Sequence, residues 1–370
     1  MLIKIKAFGS TWVDDDVPAL VLLATVVAIV GLFVLNLRLF GRYFFSPIRR
    51  ARVSYTIPAP VGKITGRSVD AELWSRLVTA FVASPFNDHS RLEDLDDPQE
   101  IEVANARLMA DAPTLSSHGF ELRVSPSEVE DWERTDEVAQ ILRREAERIV
   151  LEATGASGAH AFDHTWISSR RSNLDSSLGP GGRSANLSSS VSRVHTDTYA
   201  SSGRDKINEL VANHVLPPHA ADTKQYRAAI LNVWRAYGTG PCVKAAPLGC
   251  VDPSSVDPSS TFPYTLATDA LAGVNGSIAF DPGHRWYYFD AMTAEEVLVF
   301  TNFEEPEPAP APPAGEEGAD GGALLASGRP RGVYHAALEM LTDDGRPEND
   351  ATERTSVEVR VVALFPCGSR

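Results

Sequence analysis

The sequence predicts a mainly β protein, a barrel or double-sheet jelly roll with α-helices packed outside it, carried behind one membrane-spanning helix. Three observations predict this. After Gly158 the chain breaks into short β-branched or aromatic runs separated by Gly, Pro, Asp and Ser, the texture of many short strands and turns. Before Gly158 the apolar residues recur at helical spacing, and strands that follow leading helices suit helices packed on a double sheet. Near the N-terminus, residues 17–37 ("VPALVLLATVVAIVGLFVLNL") contain no charge.

That uncharged stretch comes first in the chain. As a helix at about 1.5 Å per residue it spans roughly 30 Å, the thickness of a bilayer core. A cleaved signal peptide would have a shorter apolar core and a small-residue cleavage site, which "RLFGRYF" lacks. Asp14, Asp15 and Asp16 precede the stretch, and Arg38, Arg42, Arg49, Arg50 and Arg52 follow it. The positive-inside rule then predicts a single-pass protein with its C-terminal body in the cytoplasm. Residues 1–52 form the anchor and a basic collar, with seven basic and three acidic side chains. Their +4 leaves −19 of the chain's −15 on residues 53–370. So acidic a body is unsuited to a nucleic-acid backbone. Three cysteines and no CxxC pair exclude a disulfide framework and point to a reducing compartment.

Residues 53–155 are predicted as the helical part. "SVDAELWSRLVTAFV" has helical periodicity, and "RTDEVAQILRREAERIVLEATG" is the clearest helix, with Thr135 as its cap and Gly155 as its stop. Val138, Ile141, Leu142, Ile149 and Val150 make one apolar stripe for packing. The expected strands follow: "AHAFDHTWI", "AAILNVWRAY", "SIAFD", "RWYYFDAM", "EVLVFTNF", "GVYHAALEML" and "TSVEVRVVALF". Ser/Gly-rich residues 174–190 read as a loop, and Pro/Ala/Gly/Glu-rich residues 304–330 as a solvated insertion.

The candidate chemistry lies on these strands. In "VHTDT", His195 and Asp197 share one strand face and can reach one divalent ion. Imidazole with carboxylate suits iron(II) in a triad of two histidines and one carboxylate. The third ligand has to come from a distant strand. His335 in "GVYHAAL" is the natural candidate, with His164 and His284 as rivals; for any lone histidine the simpler reading is a hydrogen-bonded core residue. In "ERTSVEVRVVALF", Arg354, Ser356, Glu358 and Arg360 share a face. An Arg with a Ser two residues on can hold a carboxylate by a fork and a hydroxyl, or the face can simply be exposed and charged.

HxD, a distant His and then R-x-S is the ordered signature of iron(II)/2-oxoglutarate oxygenases. Over about 250 residues the chain resembles the CmcJ/NvfI family, also called the AsaB-type hydroxylase/desaturase family. The resemblance rests on "ATGA", "FDHT", "VHTDT", "LNVWR", "PLGCVD", "HRWYYF", "EEVLVF" and "RTSVEVR" in that order. It implies a double-stranded β-helix (jelly-roll) core with iron(II) on His195, Asp197 and His335. It also implies 2-oxoglutarate and dioxygen as cosubstrates, with the distal carboxylate of 2-oxoglutarate on Arg354 and Ser356. Asn232, Trp234 and Arg235 would lie near the pocket. The expected activity is hydroxylation or desaturation of a small, lipophilic secondary metabolite. The chain departs from the family at Ala236, where a proline is common, and in "HAAL", where "HTAF" is common. The 19 positions from His335 to Arg354 exceed the usual gap in plant-type relatives; Arg360, six residues on and on the same face, is the competing anchor, but Arg354 has the R-x-S partner and lies nearer His335. A zinc-type hydrolase on the same ligands and an inactive membrane-tethered binding or partner subunit are the alternative readings.

Overall fold

The computed structural model describes residues 48–56, 96–132, 135–168, 192–237, 242–266, 273–306, 332–348 and 354–367. The described residues fall in one compact unit, 48–370. The predicted span 17–37 lies outside the described residues, as do "SVDAELWSRLVTAFV", the 174–190 loop and all but the start of the 304–330 insertion. Among the described residues, no helix is long and apolar enough to cross a membrane.

The described body is mainly β. Its strands are β1 (Ile48–Thr56), β2 (Asp96–Asn105), β3 (Phe120–Val124), β4 (Gly158–Ser168), β5 (His195–Thr196), β6 (Tyr226–Ala236) and β7 (Leu248–Val251). There follow β8 (Thr261–Leu266), β9 (Gly273–Ile278), β10 (Trp286–Tyr288), β11 (Glu296–Glu304), β12 (His335–Ala337), β13 (Glu339–Leu341) and β14 (Thr355–Pro366). One sheet has nine strands in the order β13-β1-β2-β10-β7-β12-β5-β9-β8. The other has five, β3-β11-β6-β14-β4. Phe120, Trp234, Leu298 and Phe300 of the five-stranded sheet pack with Leu248 and Cys250 of the nine-stranded one and with Val333, just before β12. This shared core is where the sheets meet.

Helix α1 (Thr135–Thr154) covers the outer face of the five-stranded sheet. Val138, Leu142, Ala146, Ile149 and Val150 pack on Leu231, Val233, Val299, Val357 and Val359, and Gly155 ends the helix at φ +67°, a conformation glycine adopts without strain. A second helix, α2 (Gly203–Ala212), buries Ile207 and Leu210 against Ile230, Phe303 and Val362. The three cysteines are free.

The region 53–155 corrects its prediction. The described part holds β1, β2 and β3, with α1 as its long helix. The collar arginines are also reassigned, because Arg49, Arg50 and Arg52 lie in β1. Arg52 bonds Glu339 at 2.7 Å, Arg50 lies 3.5 Å from Glu100, and Arg49 pairs with Glu348. Arg50 and Arg52 share one face; Arg49 has the parity of the other, on which Ala51, Val53 and Tyr55 are buried in the core. A strand with one charged and one apolar face satisfies both sets at once. Because β1 pairs with β2 over its whole length and with β13 at Arg50–Arg52, a chain started at Ile48 should fold and stay in solution. A chain started at Val53 should melt at a markedly lower temperature or fail to fold. Thermal unfolding of the two truncations followed by circular dichroism checks this; equal melting would mean β1 contributes little.

Candidate active site

The site is built from two facing rows of residues. On the nine-stranded sheet, register places Cys250, His335, His195 and Ser277 side by side across β7, β12, β5 and β9. Directly opposed residues on neighbouring strands project to one face, so the two imidazoles meet, with ring centroids 4.4 Å apart. On the five-stranded sheet the matching row is Asp163, Arg360, Asn232 and Phe300, across β4, β14, β6 and β11. The rows touch where the Phe300 ring lies 4.7 Å from that of His335.

Both histidines use the same local device. The Nδ1 of His195 lies 2.7 Å from the carbonyl oxygen of Arg193, and that of His335 lies 3.2 Å from the carbonyl of Val333. A carbonyl only accepts, so each Nδ1 carries the proton and each Nε2 keeps its lone pair for a metal. Asp197 follows β5 directly, and its Oδ1 lies 3.6 Å from the Nε2 of His195. One ligand atom from each of His195, Asp197 and His335 falls within 4.8 Å of the others, the one such group among the described residues. Two imidazoles and a carboxylate are the donor set that suits iron(II) with open positions.

Charge and hydrogen bonds hold Asp197. Its Oδ2 accepts from Asn232 Nδ2 at 2.7 Å and from Arg360 Nε at 3.0 Å. Its backbone N–H and the hydroxyl of Thr196 donate to Asn302 Oδ1 at 3.3 and 3.1 Å, and the Asn302 amide in turn donates to Asn232. Burial by itself would raise the Asp197 carboxyl; the charges of Arg360, His335 and His195 and the Asn232 bond outweigh it and hold the group well below the usual carboxylate range. Burial, then the neighbouring His195, pushes His335 down to about 3, which keeps it a neutral ligand. Glu358 is pushed up to about 8 by burial and then by Asp197.

The arginine face divides into two environments. Arg360 spends its donors on Asp197, on Asp163 Oδ2 at 3.0 Å, on Thr165 Oγ1 at 2.9 Å and on Glu358 Oε1 at 2.8 Å. Arg354 is buried over the Trp234 ring, 5.5 Å from its centroid, and donates Nη1 to the Ala246 carbonyl. Its Nε and the Oγ of the fully buried Ser356 have no partner. Burial, partly offset by Glu358, pulls Arg354 down to about 10. Two unpartnered donors, one of them on a buried cation, form a receptor for an anion, because leaving them unmet costs about 1–3 kcal/mol each.

The remaining predicted residues separate. Asn232 faces the site but serves the metal carboxylate. Arg235 lies on the opposite face of β6, with Leu231, Val233 and Tyr237 against α1, where it donates to the Ala294 carbonyl at 2.9 Å and pairs with Glu145 at 3.4 Å. It is a packing ion pair, placed there by the period-2 alternation of the strand. Arg235→Met should therefore cost about 3–5 kcal/mol of stability, the consequence of stranding a buried carboxylate, and leave 2-oxoglutarate affinity unchanged. Urea unfolding alongside ligand titration checks this; weakened affinity at wild-type stability would return Arg235 to the pocket.

His164 is set against Val359 on the α1 side of the sheet, while its neighbour Asp163 faces Arg360. His284 stacks on Tyr55 with its Nδ1 hydrogen-bonded to the Tyr55 hydroxyl at 3.0 Å, and Trp286 Nε1 donates to the same hydroxyl at 2.9 Å. "HRWYYF" is thus a packing corner, tied to "PLGCVD" by the Arg285–Asp252 pair at 2.7 Å. Asp163 and Asn302 were not predicted. Their signal was a polar residue inside an otherwise apolar strand: Asn302 in "VFTNF" repeats the pattern of Asn232 in "LNVWR".

The chain is similar to several known proteins. A family described as an oxidoreductase/YMDC permease-like domain matches residues 74–364. "Oxidoreductase R2" of Phoma sp. is 25% identical, over 72% of this chain and 86% of its own. The "alpha-ketoglutarate-dependent dioxygenase phiK" of a fungal species is 23% identical, over 64% and 86%. Among solved structures, the iron and alpha-ketoglutarate-dependent endoperoxidase NvfI aligns with a TM-score of 0.56 at 15% identity, covering 86% of this chain and 99% of that one. The same enzyme in a different conformation aligns at 0.55 and 16% identity, again covering 86% and 99%. The fold is shared with these structures.

Proposed function

The chain belongs to the oxidoreductase/YMDC permease-like domain family, and from that premise we propose that it is an iron(II)- and 2-oxoglutarate-dependent oxygenase, a hydroxylase or desaturase of a small lipophilic metabolite. The observation that carries this reading is the pairing of two unmet demands on one inner surface. His195, Asp197 and His335 converge with metal-ready donor atoms, and Arg354 with Ser356 presents buried donors that lack an acceptor. The dioxygenase relative and the shared NvfI fold support it.

His195, Asp197 and His335 would hold the ion, as two imidazoles and a carboxylate suit iron(II). Arg354 and Ser356 take the distal carboxylate of 2-oxoglutarate, a planar fork and a hydroxyl matched to two oxygens. Iron(II) with 2-oxoglutarate and dioxygen supplies an oxidant able to take hydrogen from an unactivated carbon, with succinate as co-product. The protein's own part is to orient Asp197 through Asn232, Asn302 and Arg360 and to keep the metal between two packed sheets, away from bulk water. The two sheets are read as a double-stranded β-helix. A zinc hydrolase would need a free general base beside the metal, and Glu358 is tied to Arg360.

The test is iron-dependent conversion of 2-oxoglutarate to succinate, stimulated by a metabolite extract. No conversion with iron loaded would leave a binding subunit; hydrolysis restored by zinc would favour the hydrolase.

The uncharged stretch 17–37, with Asp14, Asp15 and Asp16 before it and Arg38 and Arg42 after it, supports a single-pass anchor with the body in the cytoplasm. "NLS" at Asn186 and "NGS" at Asn275 are glycosylation sequons by pattern; Asn275 sits buried in β9, so it should carry no glycan. Asn186 should carry none either if the body is cytoplasmic. An endoglycosidase-sensitive mass on the full chain would reverse the orientation.

A further inference from the structure

We propose that Arg360 is a positioning residue that restricts Asp197 to one metal-binding oxygen. This rests on the metal reading above and goes beyond it.

Asp197 has two oxygens with different surroundings. Oδ2 already accepts two hydrogen bonds, from Asn232 at 2.7 Å and Arg360 at 3.0 Å. Oδ1 is the oxygen beside the Nε2 of His195, at 3.6 Å. The carboxylate cannot turn Oδ2 toward the metal without giving up both bonds, one of them charge-assisted.

Arg360 is itself held rigidly. Asp163, Thr165 and Glu358 accept from its terminal nitrogens at 3.0, 2.9 and 2.8 Å. They lie on β4 and β14, strands whose register sets Arg360 opposite Asp163. The guanidinium is thus a fixed plane that brings the five-stranded sheet to the metal carboxylate.

The consequence is a count of coordination positions. A six-coordinate ion with two imidazoles and a one-oxygen carboxylate keeps three positions, enough for a two-oxygen chelator and dioxygen. A two-oxygen carboxylate would remove one of them. Lysine cannot substitute, since it carries a compact charge with no Nε donor and no plane to bridge the carboxylates. The same bonds explain why Arg360 is a poor cosubstrate anchor: its donors are committed.

The experiment uses the full chain without oxygen, with Mn(II) as probe, comparing wild type, Arg360→Lys, Asp197→Ala and the remote control Arg227→Lys. Partners that orient a ligand typically contribute about 10- to 100-fold to metal affinity. Arg360→Lys should therefore weaken Mn(II) by about that factor in calorimetry. At saturation it should also change the Mn(II) electron paramagnetic resonance spectrum, a signature of ligand geometry that a purely structural role would not move. The control should match wild type. If Asp197→Ala loses Mn(II) but Arg360→Lys binds it with wild-type affinity and spectrum, the positioning role is wrong and the metal site stands. If Asp197→Ala itself binds as wild type, the metal assignment has failed instead. Should Arg360→Lys misfold because Asp163 is left unpaired, the same criteria are applied to Arg360→Lys with Asp163→Asn, which removes that buried charge.

Discussion

Asp197→Ala is expected to abolish turnover and to weaken iron(II) by at least about 100-fold, close to 3 kcal/mol. The substitution removes the one anionic ligand of the group formed with His195 and His335. Two neutral imidazoles on adjacent strands remain, and they carry no charge to offset the desolvation of a dication. The fold should survive. Arg360 keeps Asp163 and Glu358 as partners, and Asn232 keeps its bond from Asn302. Anaerobic iron(II) titration with a thermal melt as control checks this. Wild-type iron affinity in the variant would dissolve the triad; lost affinity together with a collapsed melt would show Asp197 to be structural.

The second large effect is at Arg354. If its fork takes the distal carboxylate of 2-oxoglutarate, Arg354→Lys keeps the charge and loses the planar donor pair. The expected cost is about 1–3 kcal/mol, or about 5- to 150-fold in 2-oxoglutarate affinity on metal-saturated protein. Arg360→Lys, measured beside it, should act first on the metal. The structural ground is the contrast in donors: Arg354 Nε has no acceptor, whereas Arg360 reaches three carboxylates. A large 2-oxoglutarate loss confined to the Arg360 variant would move the anchor there. No loss in either would remove the cosubstrate site from this strand.

Much of this was readable because it is local. The stripe on α1 depends on a 3.6-residue period, and the run Arg354, Ser356, Glu358 and Arg360 depends on a period of 2. Either period places side chains on a common face whatever the chain packs against. The strand runs after Gly158 were marked by their own turn residues. The errors came from patterns with two local readings. "IRRARVSYT" reads as a basic collar when its arginines are taken alone and as a strand when Ala51, Val53 and Tyr55 are taken with them. The acidic partners that decide between these, Glu100, Glu339 and Glu348, lie 48 to 299 residues away. Arg235 sits in a motif whose Asn232 does face the site, and one step of strand parity sends the arginine to α1.

By itself the sequence determined the metal-ligand types, the short strands that carry them, helix α1, and an R-x-S face able to receive a carboxylate. Only the tertiary structure decided which histidine completes the group and which arginine is free. His195 and His335 become neighbours through the pairing of β5 with β12, and Arg360 reaches Asp197 across 163 positions of chain. The physical reason is that faces follow from local backbone geometry, whereas partners follow from sheet register and from the desolvation cost of any buried charge left unpaired. Those terms are settled only when the two sheets close on each other.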